Sequence, residues 1–427
     1  MHSTDLHSQV KHVDVLIVGA GPAGMAAAIA AKEAGIDNLL VLEREQNMGG
    51  ILRQCIHNGF GLHRFKEELT GPEYAQRDID RVNELSIEVR TGTTVLSIDE
   101  DRLVTAVSRE HGVQLFEAGA LILAMGCRER PRGALATPGT RCAGIYSAGT
   151  AQKFVNLLGY MPGKRCVILG SGDIGLIMAR RMTMQGAKVL ACVELMPYSS
   201  GLNRNIVQCL QDFDIPLYLS HTVIDIQGEE RLTGVTVAQV DERRQPIPGT
   251  EKHFDCDTLL LSVGLIPENE LTEMAHVEMS PLTSGAVVDD SLQTSKPGIF
   301  ACGNVLHVHD LVDFVSAESF KAGKAAAEYV QGKSREGKYV SLKDGEGVRG
   351  VVPQRLLVPD AEAQSVQIMF RPAGVYRNAT VRVMDGEREV ARQKKLIFTP
   401  GEMVEVTLKP EQIKALSGGD VTVVIEK

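Results

Sequence analysis

Three absences bound this chain of 427 residues before any motif is considered. First, no two cysteines form a CxxC: the eight stand at 55, 127, 142, 166, 192, 209, 256 and 302, never closer than fifteen residues. A local zinc ribbon, a thioredoxin-type dithiol and a ferredoxin-type iron–sulfur motif all need shorter spacings. Scattered thiols in a chain of this size read instead as reduced, mostly buried residues of a cytoplasmic protein. Second, there is no long basic run, and the formal charge is −9. Nothing would replace the counterions that nucleic acid releases, so a nucleic-acid partner is not expected. Third, no apolar stretch runs uninterrupted. Residues 15–31 carry no charge, but Gly19, Gly21, Pro22 and Gly24 break them and Asp14 precedes them. No integral membrane segment and no secretion or anchoring signal is expected.

What is present is ordinary for a globular chain: 44% apolar and 23% charged residues. That composition excludes disorder, collagen-like repeats and coiled coil as the main plan. The length allows two to four domains of roughly 150 residues each. Glycine is in excess, 42 residues where about 7% is usual, and much of it falls in two motifs.

The first motif lies in VDVLIVGAGPAGMAAAIAAKEAG. Residues 13–18 read as a buried parallel strand and residues 25–34 as an Ala-rich helix stopped by Gly35. Between them, Gly19-x-Gly21-x-x-Gly24 has a physical task at each glycine. These are a tight turn, close approach of the backbone to a pyrophosphate, and close packing of helix on strand. The helix start then offers free amides to phosphate. A second strand over 39–42 ends in Glu43, 24 residues after Gly19, where a carboxylate can accept both ribose hydroxyls of an adenosine.

RCVILGSGDIGLIMARRMTMQGAKVLACVE repeats the arrangement. A strand at 167–169, the turn Gly170-x-Gly172-x-x-Gly175, a helix at 176–185 and a strand at 189–193 lead to Glu194, again 24 residues on. Two such sites predict two dinucleotides bound face to face, a resident flavin dinucleotide and a visiting nicotinamide. Glu194 suits free ribose hydroxyls and repels a 2′-phosphate, and the next four residues, Leu195 to Tyr198, include no arginine. NADH is therefore favoured over NADPH.

LILAMGCRERPR (121–132) and LLLSVGLIPENEL (259–271) each read as an apolar strand ending in a small-Gly step, where the chain leaves and re-enters the first domain. TSKPGIFACGNVLHVHD holds a short buried strand, 299–302, before Gly303-Asn304. The set GAGPAG, AMGCRERPR, GSGDIG, SVGLIPE and GIFACGN resembles the two-dinucleotide flavoprotein disulfide reductase superfamily over residues 12–335. Within it, GGILRQCIHNGFGLHRFKEELTGPEYA, CRERPR and CGNVLHVHDLVD are similar to the FAD/NAD-binding subunits found with glycerol-3-phosphate dehydrogenase-like flavoproteins.

The resemblance implies an α/β fold: an FAD-binding Rossmann-like domain with an inserted NAD-binding Rossmann-like domain, plus a small C-terminal all-β domain. The expected boundaries are 10–128 and 263–335 for the FAD domain, 129–262 for the NAD domain, 336–350 for a charged, Gly-rich linker and 351–427 for the β domain. The FAD contacts implied are Gly19, Gly21, Pro22, Ala23, Gly24, Glu43, Arg44, Gly50, Ile51, Ala124, Gly126, Gly303, Asn304 and Val315. For NAD they are Gly170, Gly172, Asp173, Ile174, Gly175, Glu194 and Gly264. The superfamily usually has Asp where this chain has Asn304, an exchange that keeps a hydrogen bond and removes a charge. The implied partners are a second flavoprotein, of the dehydrogenase kind, in a hetero-oligomer and, as a further member, a small Cys-rich electron-transfer protein.

Hydride transfer to a flavin needs stacked rings and excluded water more than an acid or base. Three side chains nonetheless stand as candidates for chemistry. Cys55 falls in a loop expected to pass the flavin; a redox role, a flavin contact without redox change and plain packing all stay open. His57 and His309, with His307, are polar groups near the expected flavin, open to hydrogen bonding, proton delivery or structure. His307 and His309 share a strand face at i, i+2, but no full ligand set is evident and no metal site is expected. Residues 316–330 read as a helix with Lys321 and Lys324 on a solvated face. In the tail, alternating runs at 365–371, 379–384, 403–409 and 421–426, with a hairpin turn at Asp385-Gly386, read as β structure. Electron transfer between NAD(H) and a partner flavoprotein is the leading expectation. A stand-alone single-cysteine reductase of peroxide or disulfide, using Cys55, is the alternative, and a flavin-bearing scaffold or redox sensor is the non-enzymatic one.

Overall fold

The computed structural model describes residues 10–333, 335–360 and 362–426. Arg128–Ile266 form one compact unit, and the residues on either side of them form the other.

The first unit is built on the strand Val10–Val18, which pairs in parallel with Leu39–Leu42 on one side and Gly112–Leu123 on the other. The register sets Ile17 opposite both Val41 and Ile122. Glu88–Arg90 extends the parallel set beyond Leu39–Leu42, and Ile299–Ala301 adds to Gly112–Leu123. Leu103–Ser108 and Thr93–Ile98 continue it antiparallel. All four residues of Leu39–Leu42 are buried, as a strand covered on both faces requires. Leu16, Ile17, Leu121 and Ile122 are fully buried, each a contribution of about 1.5–3 kcal/mol. Helix Pro22–Glu33 packs on helix Val312–Val330. Glycine permits the close approach, because a Cβ on Gly323 would stand 2.1 Å from the Ala27 carbonyl oxygen.

The second unit repeats the plan with a parallel sheet in the order Ile145–Ser147, Thr258–Leu261, Arg165–Leu169, Lys188–Glu194, Leu217–Leu219. Helix Asp173–Met184 follows Arg165–Leu169, and an antiparallel set, His221–Gly228, Leu232–Gln239 and Lys252–Asp255, lies beside it. The C-terminal region is all-β apart from the five-residue helix Pro410–Lys414. One sheet runs Arg355–Pro359, Gly337–Asp344, Val421–Glu426, Tyr376–Asp385, Arg388–Phe398; the other contains Val348–Val352, Val366–Pro372 and Val404–Leu408. Leu356, Phe370, Val381 and Val383 are fully buried in the core of this region. The hairpin turn at Asp385-Gly386 is present, with Asp385 opposite Arg388 and Gly386 at φ 62°.

Two domain expectations are corrected. Residues 336–350 are not a linker: Gly337–Asp344 is a strand paired with Arg355–Pro359 and Val421–Glu426, and Val348–Val352 is another. Val340 and Leu342 are buried between exposed neighbours, a period-2 pattern that the surrounding charge obscured. Nor is the β region from 351 onward a separate body; it belongs to the first unit. A buried acid and a half-buried one attach it. Asp290 accepts the Leu357 amide at 2.8 Å and pairs with Arg335. Asp310 accepts the Met403 amide at 2.6 Å and pairs with Arg371. Among the described residues, no helix is long and apolar enough to cross a membrane.

Candidate dinucleotide sites

In the first unit each glycine of the turn has a different neighbourhood. Gly19 takes φ 105°, and a Cβ there would stand 2.5 Å from the Ala124 carbonyl oxygen. At Gly24 it would stand 1.7 Å from the Gly19 carbonyl oxygen. These two glycines close the turn. Gly21 faces outward, since a Cβ there would approach only Gly50 Cα, at 3.9 Å. Helix Pro22–Glu33 begins at Gly21 without a side-chain cap, leaving its first amides for an anion. Glu43 is buried, with Oε2 accepting the Ala20 amide at 2.7 Å and Oε1 the Glu45 amide at 2.8 Å. A carboxylate has about four acceptor sites, so two stay open to ribose hydroxyls.

The second unit repeats this clamp with more hydroxyls. Glu194 Oε1 accepts the Met196 amide at 2.9 Å, while Oε2 accepts both the Ser171 amide at 2.9 Å and the Ser171 hydroxyl at 2.5 Å. Gly170, at φ 95°, would place a Cβ 2.0 Å from the Ser262 carbonyl oxygen. The Gly175 amide donates to Ser262 Oγ at 3.0 Å, and a Cβ on Gly172 would meet that oxygen at 3.2 Å. Asp173 accepts the Leu202 amide at 2.8 Å and Asn205 Nδ2 at 2.7 Å, so it ties the following loop to the helix start. Ile174 is half-buried beside it. Gly264, like Gly126 in the first unit, sits at positive φ with open space where a Cβ would go.

Around the first motif, several predicted residues come together. A Cβ on Gly303 would stand 2.7 Å from Ala23 Cβ and 3.3 Å from Val315 Cγ1, and one on Gly50 would stand 2.9 Å from Gly21 Cα. Ile51 is 58% exposed. Arg44 extends to 3.8 Å from Glu268. Asn304 holds its own loop: Oδ1 accepts the His309 amide at 3.0 Å and Nδ2 donates to Cys127 Sγ at 3.5 Å.

The candidates for chemistry are less free than their positions suggest. The Cys55 thiol donates to the Ile51 carbonyl at 3.3 Å, and burial pushes its pKa up to about 12. The half-buried His57 ring has Nδ1 3.0 Å from the Asn58 carbonyl and packs on Phe60. His307 and His309 lie in the loop after Gly303–Val305 rather than on a strand. Both rings turn to the buried Glu318, His307 Nε2 at 2.7 Å and His309 Nε2 at 3.2 Å. The Gly303 amide donates to the same carboxylate at 2.7 Å. Burial opposes ionisation of Glu318, but the two imidazoles outweigh it and hold the carboxyl well below its usual range. Burial and the adjacent His309 lower the His307 pKa. These three side chains offer donors within 4.8 Å of one another, a grouping able to hold a metal ion that the expectation of no metal site did not foresee. Glu318 sits in the expected helix without any local signal of its role.

A family model described as pyridine nucleotide-disulphide oxidoreductase matches residues 13–328. The chain belongs to that family. Similar proteins include an opine oxidase subunit of Agrobacterium tumefaciens (strain Ach5), 24% identical over 68% of this chain and 61% of the relative. The chain likewise covers only 58% of the corresponding opine oxidase subunit of Rhizobium meliloti. The glutamate synthase [NADPH] small chain of Escherichia coli (strain K12) is 27% identical over 74% of this chain and 68% of the relative. Thioredoxin reductase of Mycolicibacterium smegmatis is 26% identical over 74% of this chain and 93% of the relative. The solved thioredoxin reductase of T. acidophilum superposes with a TM-score of 0.61 at 25% identity, covering 76% of this chain and all of that one.

Membership of the pyridine nucleotide-disulphide oxidoreductase family is thus shown over residues 13–328 of this chain. Its first site fits FAD on its own geometry: an outward-facing Gly21, uncapped helix amides and a buried carboxylate with acceptor capacity to spare. Ser171 and Ser262 were missed as parts of the second site. Aligning the two motifs exposes them, because they stand where the first has Ala20 and Ala124.

Proposed function

We propose that this chain holds FAD at the first motif, receives NADH at the second, and exchanges electrons with a partner flavoprotein in a glycerol-3-phosphate dehydrogenase-like complex. Its substrate site and any small Cys-rich carrier belong to the partners. The observation that supports this best is the doubled carboxylate clamp. Glu43 and Glu194 each end a parallel strand and each accept two backbone amides, one from the glycine turn and one from two residues on. When bound, FAD supplies two-electron chemistry with the nicotinamide ring. The residues Gly19 to Gly24 and Gly303 shape the pyrophosphate turn, Glu43 orients the adenosine ribose, and Glu194 orients the ribose of the visitor. A carboxylate at that edge repels a 2′-phosphate, which favours NADH.

Membership of a complex draws on relatives named as parts of assemblies: the opine oxidase subunits, the glutamate synthase small chain and hydrogen cyanide synthase subunit HcnB. A self-contained reductase working through Cys55 is disfavoured, since a thiol with a pKa near 12 supplies almost no thiolate at neutral pH. Anaerobic titration of the purified chain with NADH tests the reading. Stoichiometric loss of the visible flavin band is expected, together with recovery of a second flavoprotein in a pull-down from the host. Folded protein that is colourless and refuses FAD would overturn it.

A further inference from the structure

Residues 303–310 form a loop between the short strand Ile299–Ala301 and helix Val312–Val330. The loop begins at Gly303, which takes φ 71° and meets the first glycine motif, a Cβ on it standing 2.7 Å from Ala23 Cβ. Two side chains hold this loop from different elements. On the helix, the buried Glu318 accepts the Gly303 amide at 2.7 Å and faces His307 Nε2 at 2.7 Å and His309 Nε2 at 3.2 Å. A carboxylate only accepts, so both imidazoles carry a proton on Nε2. On the C-terminal strand Val366–Pro372, Arg371 donates to the Val308 carbonyl at 3.1 Å and pairs with Asp310. The second oxygen of Asp310 accepts the Met403 amide at 2.6 Å.

The arrangement fixes a turn that its own sequence leaves free. Glycine is the most permissive residue, so the direction of the Gly303 peptide needs an external partner, and Glu318 supplies it. The same carboxylate orients His309, whose amide donates to Asn304 Oδ1 at 3.0 Å. Glu318 therefore acts on both residues of the Gly303-Asn304 turn, on one directly and on the other through His309. Arg371 holds the far end of the loop and is itself anchored, donating to the Gly401 carbonyl at 2.9 Å. Hydrogen bonds to ionised partners are the stronger kind, and removing one partner leaves the others unmatched.

We propose that Glu318 and Arg371 are positioning residues for the first dinucleotide site, fixing the Gly303-Asn304 turn in the shape that FAD meets. The C-terminal strands are thereby part of the framework of the flavin site. The proposal rests on the reading of the first motif as the FAD site. Both residues act through the loop. Glu318 also sets a buried negative charge one hydrogen bond from Gly303, and an anion near a flavin opposes its gain of electrons.

The test compares the full-length protein with Glu318→Gln, Arg371→Gln and Arg371→Lys, measuring the FAD dissociation constant, the midpoint potential of bound flavin and the melting temperature. Glu318→Gln keeps the side chain's shape and removes its charge. It should weaken FAD binding about tenfold, the worth of one charge-assisted hydrogen bond, and raise the midpoint potential. Arg371→Gln should weaken FAD about threefold. Arg371→Lys, which keeps a cation beside Asp310, should recover most of that loss. Glu318→Gln combined with Arg371→Gln should cost less than the product of the two single effects, because both act on one loop. A lowered melting temperature with an unmoved potential would overturn the proposal, as would FAD affinity unchanged in both Gln variants or a fully multiplicative loss in the combination. Arg371 is half-buried, and its two variants decide the matter if Glu318→Gln does not fold. Unsubstituted protein that refuses FAD would instead bring down the FAD reading, and this proposal with it, so the two failures are distinct.

Discussion

The two glycine turns share a sequence pattern and a carboxylate 24 residues on, yet they are not equivalent. In the first, Ala20 and Ala124 bring no hydroxyl to the turn, and Glu43 keeps acceptor capacity on both oxygens. In the second, Ser171 donates its hydroxyl to Glu194 and Ser262 takes the Gly175 amide. Part of the hydrogen-bonding capacity there is already satisfied internally. A site with fewer internal partners gains more from its ligand, because each unmade buried hydrogen bond is a penalty the ligand removes. That difference accords with a resident dinucleotide at the first turn and an exchanging one at the second.

The largest test of this contrast is Gly24→Val. With a Cβ 1.7 Å from the Gly19 carbonyl oxygen, the first turn cannot close, and visible absorbance per chain should show flavin content near zero. At the second site the opposite separation is expected. Glu194→Ala should raise the KM for NADH about 10- to 100-fold, as loss of a charged hydrogen-bond acceptor predicts, with flavin content unchanged. Adding Met196→Arg should turn the preference toward NADPH; a constant ratio would show that Glu194 does not read the ribose. Loss of flavin in Glu194→Ala would break the comparison outright.

Ser171→Ala should act more mildly, changing the NADH KM by about three- to tenfold through a loosened Glu194, the worth of a single hydrogen bond. The smallest effect belongs to Cys55. Cys55→Ser should leave NADH-to-dye turnover within about twofold, because a protonated thiol is a poor nucleophile. Burial raises this thiol from 9.0 to about 12. The folded chain thus retains a proton that the unfolded chain releases. Its contribution to stability is intact below pH 9 and falls as pH rises toward 12. Iodoacetamide labelling followed by peptide mass mapping should find Cys55 nearly inert at about pH 8 in the folded protein.

The strand, turn and helix geometry of both motifs was legible because its signals are local. Gly19, Gly21 and Gly24 stand between an apolar strand and an Ala-rich helix, and the strand over 39–42 has the expected bounds. The tail was harder. Its strands at Val366–Pro372, Tyr376–Asp385, Val404–Leu408 and Val421–Glu426 were visible as alternation. Gly337–Asp344 was hidden because lysines and glycine flank its two buried residues. Asn304 and His309 were placed near the flavin by motif, but nothing in the sequence showed that they bond to one another or that His309 faces Glu318.

Sequence alone determined the two glycine turns and the acids that follow them: short-range spacing of glycines and acids dictates backbone shape, and backbone shape determines where a dinucleotide can lie. Only the tertiary structure decided which charges are satisfied. Glu318 finds two imidazoles nine and eleven residues away on another element, whereas Lys321, one turn further along the same helix, is exposed and makes no direct ion pair among the described residues. Pairing depends on what long-range packing brings within about 3 Å, and no periodicity along the chain encodes that distance.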